Sequence, residues 1–255
     1  MSPNKKVRKK KTEVEAVAQS VPTKASLARN PKKFVGFKLV RFPQGILKDI
    51  YGNPELLVPR MRWVNAEVFS VVDRVLKSPY QKVIVITDTF RLPSESYVAR
   101  MKKGGKVAPT GLSGHNYGIS WDIALEHTYS ASGKSHSELV KDLSGLGLYP
   151  ISREPWHFNL VFKDEREYFF SLFDKLSFLH KKMAKDMVKS FSSLVVSVKS
   201  IKDIQSKLGL VADGIVGKRT GMAVTMLLAE KKGLFKGVLD DKVNEINVNL
   251  VDVWE

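Results

Sequence analysis

Two short segments constrain this chain more than anything else in it: Ser-Gly-His-Asn-Tyr-Gly-Ile-Ser-Trp-Asp-Ile-Ala-Leu at 113–125 and Arg-Glu-Pro-Trp-His-Phe at 153–158. Together they hold two histidines and two carboxylates. Neutral imidazole and carboxylate are ligands for a borderline-soft divalent ion such as zinc, and a catalytic zinc takes three protein ligands and leaves a fourth position open. His115, Asp122 and His157 fill three ligand places and leave Glu154 spare. A carboxylate three residues before a ligand, in a segment stiffened by Pro155, is suited to take a proton from water that the metal activates.

Alternation adds an expectation about geometry. Between Gly118 and Ala124, the side chains of Ile119, Trp121 and Ile123 fall on one face of a strand and those of Ser120, Asp122 and Ala124 on the other. Downstream, Trp156, Phe158, Leu160 and Phe162 share one face, while His157, Asn159 and Val161 share the opposite one. Two strands that each show a ligand on their polar face predict a sheet-lined site. His115 would enter from the turn before the first strand. His127, His136 and His180 lie outside this pattern and read as ordinary histidines, with His127, beside Glu126, considered as an outer neighbour of the site.

The ordered pair of motifs resembles the zinc D,D-carboxypeptidase and L,D-endopeptidase family, which includes bacterial D-alanyl-D-alanine peptidases and phage endolysins. Its signature, Ser-x-His-x-x-Gly-x-Ala-x-Asp followed by Glu-x-Trp-His, is met by Ser113, His115, Gly118 and Asp122 and then by Glu154, Trp156 and His157. Ser120 stands where the family usually has alanine. The resemblance implies zinc on His115, Asp122 and His157, Glu154 as general base, and Ser113 and Trp156 against the substrate peptide. An aromatic-Arg-Ser step commonly follows a strand in this family. Here Phe90-Arg91-Leu92 follows the β-branched run Val83–Ile86, which makes Arg91 the candidate oxyanion stabiliser. Neither a His-Glu-x-x-His helix nor a Gly-x-Ser-x-Gly elbow is present.

Further along, Gln205, Leu208, Asp213, Gly214, Ile215, Gly217, Thr220, Ala223 and Val224 resemble the small three-helix peptidoglycan-binding domain, with a tight turn at Asp213-Gly214 and a third helix starting near Lys232. The implied architecture is α+β: a catalytic domain of the zinc D-Ala-D-Ala peptidase (Hedgehog-like) fold at 34–190, and a peptidoglycan-binding domain at 197–250. Apolar spacing predicts one amphipathic helix over 59–76 and another over 164–189 that packs the catalytic domain's back, while the Gly- and Lys-rich stretch 102–111 reads as a mobile loop over the cleft mouth. Residues 1–33, charged and punctuated by Pro3, Pro22 and Pro31, read as a disordered basic tail.

A formal charge of +16 calls for an anionic partner: nucleic acid, an acidic membrane face or an anionic wall polymer. No nucleic-acid recognition motif is present. The resemblance favours peptidoglycan, with the basic tail as an electrostatic tether to wall or membrane. Without cysteine the chain has neither disulfides nor a thiolate metal site. Residues 12–26 lack the apolar core of a secretory signal, and no run of about 18 apolar residues predicts a membrane span. The expectation is a monomeric endolysin-type peptidase made in the host cytoplasm and released to the wall on lysis. It would cut the L-alanyl-D-glutamate bond, with D-alanyl-D-alanine carboxypeptidase or a non-catalytic wall-binding structural protein as alternatives.

Overall fold

The strands on either side of the predicted ligands form a four-stranded antiparallel sheet in a computed structural model that describes residues 34–42, 62–161, 163–194, 198–240 and 242–255. Its order is β3 (Ile86–Asp88), β4 (Ser120–Ile123), β6 (Glu154–Asn159) and β5 (Tyr149–Ile151). In β4 and β6, Trp121 faces Phe158 across the ladder, and Asp122 and Ser120 face His157 and Asn159. Residues directly opposite in an antiparallel pair share a face. Trp121 and Phe158 are fully buried in the core, and the two polar pairs occupy the other side. The expected faces are observed where Ser120–Asp122 pair with His157–Asn159, whereas Trp156, expected on the face of Phe158, is exposed and Phe162 lies outside the described residues. A short 3-10 turn, Gly114–Tyr117, presents His115 ahead of β4 and ends at Gly118 with φ +66°. A side chain at Gly118 would also meet the Asn65 backbone nitrogen at 2.8 Å, so both conformation and space require glycine.

The strand expected at the β-branched run begins later than the run itself. Pro79–Lys82 form a 3-10 turn in which the Ser78 side chain accepts from the Tyr80 N–H, and only Ile86–Asp88 join the ladder. Ile84 is buried in the core, and the Val85 carbonyl accepts from the Ala124 N–H at 2.9 Å.

A second antiparallel sheet, ordered β2 (Trp63–Asn65), β1 (Gly36–Arg41) and β7 (Glu245–Asn249), corrects two helix expectations. Residues 59–61 of the helix expected over 59–76 lie outside the described residues. Within the remainder, Trp63–Asn65 pair with β1, and α1 spans only Phe69–Lys77. Asn65 divides the two by accepting from the Glu67 N–H at 3.0 Å. It behaves as an Asx cap, which starts a new turn at that point. Among the described residues no α-helix follows Lys232. Lys236–Leu239 form a 3-10 turn, and Glu245–Asn249 then pair with β1 over its length. The Ile246-x-Val248 alternation suits a strand, and the free edge of β1 accepts it.

Residues Phe34–Glu255 form one compact unit, and the helices expected as a separate module pack within it. The central element is α8 (Lys218–Lys231), buried continuously from Thr220 to Ala229. It packs against α2 (Pro93–Lys103), α5 (Arg166–Lys175) and α6 (His180–Ser192). Near the chain's end, the Trp254 indole donates to Thr225 Oγ1 at 3.0 Å. The helix expected over 164–189 is interrupted by the turn Ser177–Leu179, on either side of which Tyr168, Phe169, Leu172 and Phe173, then Met183, Met187 and Phe191, enter the core. The stretch 102–111 is not a free flap at its C-terminal end. Gly111 donates to Asn116, its carbonyl accepts from the Tyr117 hydroxyl at 2.7 Å, and it abuts the α8 backbone at Met222–Ala223. Two further helices, α3 (Leu125–Ser132) and α4 (His136–Leu146), connect β4 to β5, and α7 (Ile201–Lys207) precedes α8. No helix among the described residues is long and apolar enough to cross a membrane. The basic segment 1–33 lies outside the described residues.

Candidate metal centre

His115, Asp122 and His157 converge, each offering one ligand atom within 4.8 Å of the others. His115 Nε2 lies 3.1 Å from Asp122 Oδ1 and 3.2 Å from His157 Nδ1, and His157 Nδ1 lies 3.0 Å from Asp122 Oδ1. Zinc bonds to nitrogen and oxygen of about 2.0–2.1 Å imply tetrahedral edges of about 3.3 Å, so this triangle is close to one face of such a site. The two imidazoles stand nearly perpendicular, at 86°.

Both outer ring nitrogens are already engaged. His115 Nδ1 lies 2.7 Å from the Thr89 carbonyl oxygen, which can only accept, so Nδ1 carries the proton and Nε2 presents a lone pair. His157 Nε2 faces Asn159 Oδ1 at 3.2 Å and Glu165 Oε2 at 3.4 Å, which turns its Nδ1 lone pair inward. With these tautomers two lone pairs and a carboxylate oxygen point at one another, an arrangement that could hold a cation at its centre. Without a metal, a proton on His157 can take that place. Burial opposes charge on His157, yet hydrogen bonds to Asp122 and Glu165 raise it to about 10. Burial likewise opposes ionisation of Asp122, but the His115 and His157 imidazoles hold it well below the usual carboxylate range. Zinc at the centre would replace that proton.

The other predicted site residues occupy different positions. Arg91 binds Asp88 through its guanidinium, with Nε at 2.8 Å. Asp88 sits directly across the ladder from Asp122, so Arg91 offsets what would otherwise be two facing carboxylates. The Arg91 backbone also fastens the histidine turn. Its N–H donates to the His115 carbonyl at 3.0 Å, and its own carbonyl accepts from Asn116 Nδ2 at 2.9 Å. Ser113 is buried at the start of the same turn.

Glu154 opens β6 opposite Ile151, and the next ladder pair is Pro150 with Phe158. Pro155–His157 thus have no partner on β5. Such a bulge re-aims side chains, so regular alternation does not govern the relation of Glu154 to His157. Trp156 is 48% exposed and, with Pro155, walls a cleft of about 580 Å³ that also takes in Thr87, Tyr129, His127 and His136. None of His115, Asp122 and His157 lines this cleft, and Ile123, which does, lies on the strand face opposite Asp122. His127 and His136 are exposed there, and neither belongs to the ligand cluster. His180 stacks on Phe173 with ring centroids 4.3 Å apart.

Sequence reasoning missed Glu165, Thr89 and Asn116. Asn159, on the expected polar face, contacts His157, and Ser120, the one departure from the motif, donates its hydroxyl to Glu165 at 2.8 Å. Nothing local marks Glu165 as a neighbour of His157. Thr89 acts through its carbonyl, which any residue could supply.

A second polar cluster gathers the residues of the downstream motif. Gln205 is buried, and its amide nitrogen lies 2.7 Å from Asp213 Oδ1, 2.9 Å from the Ile215 carbonyl and 3.1 Å from Thr220 Oγ1. Its oxygen accepts from the Gly214 N–H at 2.8 Å, closing the Asp213–Gly214 turn. No protein-family model matches this chain, and no curated protein matches it.

Proposed function

We propose that this protein is a zinc-dependent peptidoglycan peptidase of the endolysin type, hydrolysing the L-alanyl-D-glutamate bond of the stem peptide. The observation that carries the reading is the buried triangle of His115, Asp122 and His157, whose inward lone pairs and near-tetrahedral edge suit zinc. The order and spacing of the two motifs support it. When bound, zinc would act as a Lewis acid on the scissile carbonyl and lower the pKa of water. Glu154 takes the proton from the attacking water and returns it to the leaving amine. Arg91, its orientation fixed by Asp88, meets the charge that develops on the carbonyl oxygen, and a guanidinium fixed in advance costs no reorganisation during the reaction. Ser113 and Trp156 contact the peptide. The finer fold assignment, a Hedgehog-like zinc peptidase with a wall-binding helical segment around Gln205, belongs to this same reading.

Product analysis tests it. Purified protein is incubated with peptidoglycan, with and without a zinc chelator, and released fragments are identified by mass spectrometry. Chelator-sensitive fragments with new N-terminal D-glutamate support the endopeptidase. Release of D-alanine alone would assign a carboxypeptidase instead. No cleavage by a preparation that binds both zinc and wall would make the metal site structural.

A further inference from the structure

Glu165 has no part in the chemistry above, yet it is a largely covered carboxylate, its side chain 18% exposed, beside the ligand His157. One oxygen, Oε2, accepts from the Gly114 N–H at 2.7 Å and from the Ser120 hydroxyl at 2.8 Å, and lies 3.4 Å from His157 Nε2. These donors come from three different segments. Gly114 immediately precedes His115, Ser120 is two residues before Asp122 on the same strand face, and His157 is itself a ligand. A single atom thus touches every segment that carries a member of the triangle.

The surroundings are built to admit that oxygen. A Cβ on Gly114 would stand 2.2 Å from Glu165 Oε2 and 1.9 Å from Ser120 Oγ, so any larger residue would push the carboxylate out. Ser120 has one hydroxyl proton and two acceptors in reach, Glu165 Oε2 at 2.8 Å and Asn159 Oδ1 at 3.2 Å. The shorter contact is to the charged oxygen, the stronger acceptor. Asn159 Nδ2 is held in turn by the Lys163 carbonyl at 3.2 Å, which keeps its oxygen facing His157. Glu165 directly precedes α5, whose Tyr168, Phe169, Leu172 and Phe173 are sunk in the core, so the carboxylate is delivered by a rigid element.

We propose that Glu165, assisted by Ser120, is the positioning residue of the metal centre: by binding Gly114, Ser120 and His157 at once it holds His115, Asp122 and His157 in register and thereby sets metal affinity. This rests on the reading of the triangle as a zinc site but not on any peptidase activity. Outer-sphere partners of histidine ligands fix ring orientation, and losing one costs about 10- to 100-fold in metal affinity.

The test is zinc affinity of the full chain, measured by competition with a chromophoric chelator, for the parent, Glu165→Ala, Glu165→Gln and Ser120→Ala. Circular dichroism melts of the chelated proteins report folding, and visible spectra of the cobalt-substituted forms report ligand geometry. The expected result is a loss of about 10- to 100-fold in Glu165→Ala with an altered cobalt spectrum, partial rescue in Glu165→Gln, whose amide oxygen can still accept, and a smaller loss in Ser120→Ala. A purely structural Glu165 would lower the chelated melting temperature while folded variants kept parental affinity and spectrum, and that result overturns the proposal with the zinc reading intact. If Glu165→Ala fails to fold, Glu165→Gln and Ser120→Ala decide by the same criterion. A parent that takes up no zinc would overturn both.

Discussion

Two buried polar clusters in this molecule, one around His115 and one around Gln205, differ in what they leave unsatisfied. Gln205 makes its hydrogen bonds to groups of opposite character: its N–H atoms meet acceptors and its oxygen meets an N–H. Nothing is missing, and the cluster closes a turn. In the other cluster the outer nitrogens are satisfied in the same way, but the inner atoms are all acceptors unless a proton or metal joins them. The difference separates a polar group buried to hold a fold from one that could hold an ion: burial and hydrogen bonding are common to both, and only the sign of what converges distinguishes them.

The strongest way to break this comparison is to remove a convergent atom. His115→Ala should lose both zinc and turnover, measured as bound metal and as peptide release. Next, Glu154→Ala should keep zinc and lose turnover by about 10²- to 10⁴-fold, the usual worth of a general base. Full activity in that variant would withdraw Glu154 from the mechanism. Acidity sharpens the contrast further. A metal must displace the proton on His157, so apparent zinc affinity should rise with pH toward about 10.

The chelated protein should respond to pH with two opposite signs. His157 is raised in the folded state, so its contribution is complete below its ordinary pKa of about 6.5 and is lost as pH climbs through about 10. Asp122 is lowered, so its contribution is present above about 3.9 and is lost on acidification. A melting-temperature profile of the chelated form should therefore peak between these limits, and zinc should flatten it. The smallest effect is expected at the other cluster. Gln205→Ala removes a buried amide whose partners other than Thr220 reach solvent, and should cost about 0.5–1.5 kcal/mol in unfolding free energy. Its zinc affinity should match the parent's, and a matching loss of zinc would show that the two clusters are not independent.

Legibility followed distance along the chain. The faces of β4 and β6 were readable because side chains alternate within a strand whatever the strand packs against. The turn at Asp213-Gly214 was readable for a similar reason, since an Asp side chain bonding the backbone two residues on is a local event. The helix expected over 59–76 misread Trp63–Asn65, because a short apolar run has the same composition in a strand as in a helix. β7 was missed where Ile246 and Val248 alternate with polar residues, since the weak echo of a helical motif nearby outweighed a two-residue alternation.

By itself the amino-acid sequence determined which residues form the candidate metal centre, the strand faces that carry Asp122 and His157, and the positions of the tight turns. These depend on residue chemistry and on periods of a few residues. Only the tertiary structure decided that β7 lies on β1, where Val35 and Asn249 meet 214 residues apart, that α8 is the buried axis for the helices around it, and that Glu165 and the Thr89 carbonyl finish the histidines. Sheet edges must be paired and buried lone pairs satisfied, but which part of the chain arrives to do so depends on how the whole chain packs, and no local pattern records it.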